Sequence, residues 1–93
     1  MSQFRIIIWS DLAKADSRSL YNSLLFNNSK ETARKIREEL ISAPEAIVFP
    51  EQYQFDEIHS KYRRIIVRNY KLLYRVEDKT IRIISVVDSR YDY

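Results

Sequence analysis

The 93-residue chain contains no glycine and no cysteine, and only one histidine, one tryptophan and two prolines. Each scarcity excludes something. Without glycine there is neither a phosphate-cradling P-loop nor a dinucleotide fingerprint, because both need close backbone approach to phosphate. Any turn with positive φ then falls to Asn, Asp or Ser, and Asn27, Asn28, Asn69 and Asp78 are the expected positions. Without cysteine there is no disulfide framework and no thiolate metal site. His59 alone does not build a zinc site, so no metal and no cofactor is expected. No apolar run approaches the ~20 residues of a membrane span. The opening MSQFRIII lacks the plan of a signal peptide, which makes the cytoplasm the expected location. The length suits a single domain, 1–93. The net charge is only +3, yet arginine concentrates after residue 61, and local concentration is what a phosphate backbone or an acidic peptide responds to.

The apolar periodicity changes twice along the chain. Phe4–Trp9 (FRIIIW) predicts a strand, and its nearly unbroken apolar run predicts burial on both faces or a place inside the sheet. Ser10 or Asp11 caps a helix that runs to about Phe26, with Ala13, Leu20, Tyr21 and Leu24 facing the sheet and Asp16 and Arg18 pointing out. Asn27-Asn28 breaks it. A second helix follows at once, capped by Asn28 in a capping box with Glu31, or by Ser29. Its apolar face is Ala33, Ile36, Leu40 and Ala43, and Pro44 stops it. So short a connection makes the two helices a hairpin. Residues 46–61 are irregular. Tyr53 and Phe55 are expected against the core, and Asp56-Glu57 in a capping or salt-bridge role.

Tyr62 to Arg90 reads as three strands, 62–67, 70–76 and 81–88, with turns at Asn69 and at Asp78-Lys79. Strict alternation puts Ile65, Val67, Leu72, Tyr74, Val76, Ile81, Ile83 and Val87 on a core face. It puts Arg64, Ile66, Arg68, Lys71, Leu73, Arg75, Arg82, Ile84 and Val86 on the other, which is apolar in the middle and studded with cations. Such a face suits an anion or a protein partner; the plainer reading is a solubilised outer face. The predicted fold is α+β, β-α-α-β-β-β, a helical hairpin packed on one face of a mainly antiparallel sheet in two layers.

Four segments in this order carry a family resemblance. They are Ile6-Ile7-Ile8-Trp9-Ser10, Glu31-Thr32-Ala33-Arg34-Lys35-Ile36, the block Tyr62 to Val76, and the ending Val86-Val87-Asp88-Ser89-Arg90 with its Asp-x-Arg. Together they resemble the RelE/ParE superfamily of type II toxin–antitoxin toxins, most of all its ParE branch, often labelled plasmid stabilisation proteins. The chain departs from the pattern at His59-Ser60-Lys61, where a glycine is common, and at Tyr91-Asp92-Tyr93, where Gln-Asn-Pro is common.

The resemblance implies a toxin that a cognate acidic antitoxin holds inactive in a hetero-oligomer. Its target would be DNA gyrase in the ParE branch, or the ribosome and its mRNA in the RelE branch. Antitoxin contacts are expected on Arg64, Ile66, Arg68, Lys71, Leu73, Arg75, Arg82, Ile84, Val86 and Arg90. RNA cleavage needs a base, an acid and cations around one phosphate. The residues available for it are Arg64, Arg75, Arg82 and Arg90 as cations, with His59, Tyr91 and Tyr93 as proton carriers. Arginine is no base at neutral pH, so the set lacks an assured proton acceptor. A gyrase inhibitor is therefore the expected function, with the mRNA endonuclease as the alternative and an inactive relic of the fold as a third possibility.

Overall fold

A computed structural model describes residues 6–91. Phe4 and Arg5 of the expected first strand lie outside the described residues, as does Tyr93. The order is β1 (Ile6–Trp9), α1 (Asp11–Asn27), α2 (Lys30–Ser42), a short 3₁₀ turn (Ala43–Ala46), β2 (Arg63–Val67), β3 (Tyr70–Glu77) and β4 (Thr80–Asp88). The strands form one sheet in the order β1-β4-β3-β2, with β1 parallel to β4 and the other pairs antiparallel. The α+β architecture of a helical hairpin on one sheet face is as predicted.

Both helices start on serine. The Ser10 hydroxyl accepts from Ala13 N and donates to Ile84 O, so the cap of α1 is also tied to β4. At α2 the cap is Ser29, which accepts from Thr32 N; Asn28 instead closes the C-terminus of α1 through Leu24 O. Ala33, Ile36 and Leu40 of α2 are buried with Ala13 and Leu24 of α1 against Ile65, Leu72, Tyr74, Ile81 and Ile83 of the sheet. Pro44 opens the 3₁₀ turn, where its missing N–H costs nothing.

The apolar run of β1 does not mark an inner strand. β1 lies at the sheet edge, and Ile6, Ile7 and Ile8 are 51%, 36% and 38% exposed. The strand buried on both faces is β3, where Tyr70 to Tyr74 are all buried, Lys71 among them. The other edge is covered by the chain itself. Phe55 bridges Arg63, Asp56 N donates to Tyr62 O, and Arg64 N donates to Gln54 O.

A bulge in β4 changes which side chains share a face. Leu73 lies opposite Ser85 and Tyr74 opposite Ile83, which leaves Ile84 as an extra residue in the ladder. Beyond it the alternation is reversed. Val86 sits opposite Leu72 and packs on the core, while Val87 sits opposite Lys71. The expected places of Val86 and Val87 are thus exchanged. Asp16 of α1 stabilises the bulge by accepting from Ser85 Oγ at 2.8 Å and Val86 N at 3.0 Å, so it does not point out to solvent. Both hairpins turn on two residues, with positive φ at Arg68 and Asp78; of the four expected positions only Asp78 is so used.

Candidate functional site

The outer face of the sheet carries Arg64, Ile66, Lys71, Leu73, Arg75 and Arg82, and the segment between the 3₁₀ turn and β2 folds onto one end of it. Asp56 joins the two. Its side chain has no exposed surface. Oδ1 accepts from Lys71 Nζ at 2.9 Å and from Arg64 Nη1 at 3.4 Å. Oδ2 accepts from the main-chain N–H groups of His59 at 2.8 Å and Ile58 at 3.1 Å. Burial alone would push this carboxyl up. The hydrogen bonds from Lys71, His59 and Ile58 outweigh burial and hold it at about 2. Lys71 and Leu73 are 7% and 2% exposed, so neither forms the open partner-binding surface that alternation suggested.

Each remaining arginine of the predicted set also meets a carboxylate. Arg75 and Arg82 are direct cross-strand partners, and both reach Glu77, at 2.7 and 2.6 Å. Arg64 lies opposite Leu73 and engages Asp56, so the cations Arg64, Arg75 and Arg82 of this face are divided between two acids. Arg68 is bidentate to Glu39 of α2, which places it on the helical side and not on the outer face. Arg90 folds back in a bidentate pair with Asp88. It lines a polar cleft of about 500 Å³ with Asn27, Asn28, Arg68 and Tyr91, again on the helical side. Glu77, Glu39 and Asp88 are each held below the usual carboxylate range by hydrogen bonds from these arginines.

The two proton carriers among the described residues are not brought to one place. His59 gives its N–H to Asp56 at the outer face, whereas Tyr91 sits in the cleft beside Arg90. Ile84 forms the bulge and Val86 joins the core; Ile66, 60% exposed, is the apolar residue of the predicted face that remains open. Arg63 stacks 4.0 Å over Phe55 and donates to Tyr53 O.

The chain matches the model for the ParE toxin of the type II toxin–antitoxin system parDE over residues 7–93. It belongs to the ParE toxin family. Its fold is similar to a chain of the chromosomal ParDE toxin–antitoxin system from P. aeruginosa, with a TM-score of 0.77, 19% identity, and coverage of 94% of this chain and 98% of that one. It is also similar to YafQ from E. coli, with a TM-score of 0.55, 18% identity, and coverage of 92% and 94%. No curated protein matches the sequence.

In this ParE-family chain two features escaped sequence reasoning. One is the buried state of Asp56: its cationic partners lie 8 and 15 residues away, and nothing local marks them. The other is the exposed β1 edge. Ile7, Ile8, Trp9 and Ile41 line a groove of about 540 Å³ whose rim carries Lys14 and Arg18. An apolar run flanked by a helix cap looks the same whether the strand is central or at the edge.

Proposed function

We propose that this chain is the toxin of a type II toxin–antitoxin pair, kept inactive in the cytoplasm by an acidic antitoxin within a hetero-oligomer, and that it inhibits DNA gyrase by binding. The observation that carries the choice of target is the pairing of the basic residues. Arg64 and Lys71 meet Asp56, Arg75 and Arg82 meet Glu77, and Arg90 meets Asp88. Cations held this way are poor at gathering round a pentavalent phosphate, and His59 and Tyr91 occupy separate surroundings. A binding inhibitor needs no such convergence. An antitoxin with apolar anchors and acidic flanks suits both the outer face, with Ile66 at one end and the Arg75–Arg82 pair at the other, and the β1 groove with Lys14 and Arg18.

Two assays on the purified protein test the target. One follows gyrase supercoiling and trapped cleavage complexes; the other maps breaks in mRNA on programmed ribosomes. The expected result is loss of supercoiling with intact mRNA, abolished by Arg90→Ala. Breaks in the A-site codon that vanish in Tyr91→Phe or His59→Ala would instead make the protein a ribosome-dependent endonuclease. Silence in both assays would leave an inactive relic of the fold.

A further inference from the structure

We infer that Arg64, Lys71 and the main-chain N–H groups of Ile58 and His59 form an oxyanion site that the chain fills itself, with the Asp56 carboxylate where a phosphate would sit. Each carboxylate oxygen receives two donors, cationic side chains on Oδ1 and backbone N–H groups on Oδ2. Two positive side chains converging with adjacent main-chain N–H groups are the donor set that binds phosphate and sulfate. Asp56 differs in kind from the other acids paired with arginine. Glu39, Glu77 and Asp88 keep 38%, 43% and 25% of their side-chain surface, whereas Asp56 keeps none. Solvent ions screen and exchange with exposed pairs. A buried pair leaves no room for an incoming anion while the segment that carries it stays seated.

Burying a lysine and an aspartate is expensive in solvation, and an apolar pair of similar volume often serves stability as well. The charged pair here lies on the outer face of the sheet, at the position an RNA phosphate would have to take to meet both Arg64 and Lys71. The chain's own carboxylate occupies that position, so RNA phosphodiesters are excluded from Arg64 and Lys71. In that consequence the inference rests on the binding-inhibitor reading. The site itself is measured without gyrase or ribosomes, so either idea can fail alone.

The probe is inorganic phosphate, titrated against chloride at constant ionic strength, followed by calorimetry and by the amide signals of Ile58 and His59. Wild type should show no saturation. Asp56→Ala should bind phosphate at one site, and Asp56→Ala/Lys71→Ala should bind it about tenfold more weakly or worse. Equal binding by wild type and Asp56→Ala, or none by folded Asp56→Ala, would overturn the assignment. If Asp56→Ala does not fold, Asp56→Ser vacates the carboxylate position and leaves a hydroxyl near the two N–H groups. Phosphate should then raise its melting temperature more than that of wild type, and an equal rise in both would overturn the assignment.

Discussion

Lys71 Nζ lies 2.9 Å from Asp56 Oδ1, with the two side chains 9% and 0% exposed. This contact fastens the segment before β2 to the strand at the middle of the sheet. Lys71→Ala leaves the buried carboxylate with its two N–H donors and the longer Arg64 contact but without its closest cation, and it should cost about 3 kcal/mol or more in urea unfolding. Asp56→Asn/Lys71→Met removes both charges, keeps an acceptor for the two N–H groups, and should recover much of that loss. A double variant no more stable than Lys71→Ala would show that the cost was packing.

The same carboxyl gives a pH dependence with a defined sign. Its folded pKa of about 2 lies below its ordinary 3.8, because donors from Lys71, His59 and Ile58 overcome burial. The stabilisation is therefore complete above the ordinary value and is lost as pH falls through about 2. It amounts to about 2 kcal/mol. Chemical unfolding measured between roughly pH 2 and pH 5 should show this decline in wild type and a flatter curve in Asp56→Asn.

Tyr74 is fully buried, and its hydroxyl has no hydrogen-bond partner among the described residues. Burial pushes the phenol up to about 12, although the nearby Arg63 charge pulls the other way. Its ring meets Tyr53 edge-on at 6.4 Å, a contact that phenylalanine preserves. Tyr74→Phe should therefore leave stability unchanged or raise it by about 1 kcal/mol in thermal unfolding. A loss of that size would reveal a partner for the hydroxyl.

Leu40 is 1% exposed, in the cluster that joins α2 to the sheet. Leu40→Ala should cost about 2–5 kcal/mol by urea unfolding, with the spread set by how far the cavity collapses. Ile41, its neighbour, is 50% exposed on the rim of the β1 groove. Ile41→Ala should leave stability within about 0.5 kcal/mol of wild type. Equal costs at the two positions would contradict the orientation of α2.

Arg75 faces Arg82 across the strands and is half exposed beside Glu77. Arg75→Glu would add a second carboxylate there and repel an acidic antitoxin. In titration calorimetry with the cognate antitoxin, affinity should fall by well over threefold. A smaller change would move the antitoxin off this face, leaving the β1 groove as the surface to mutate next.

The helices were legible in the chain because their signals are local. Ser10 and Ser29 accept from an N–H three residues on, and Ala33, Ile36 and Leu40 recur at helical spacing. The three-strand meander was legible for the same reason, from β-branched runs and short turns. Strand position was not. A strand's place in the sheet depends on its partners, so apolar β1 lies at an edge while β3, with Lys71 in it, lies inside. Val86 and Val87 exchange faces because a count by twos cannot foresee the extra Ile84, and Asp16, which satisfies the bulge, comes from a helix 69 residues away. The cations were visible as residues, but their state was not. Whether an arginine or lysine is free to hold a phosphate depends on which carboxylate the fold brings to it, and for Lys71 that carboxylate arrives from a loop that closes over the sheet only in the folded chain.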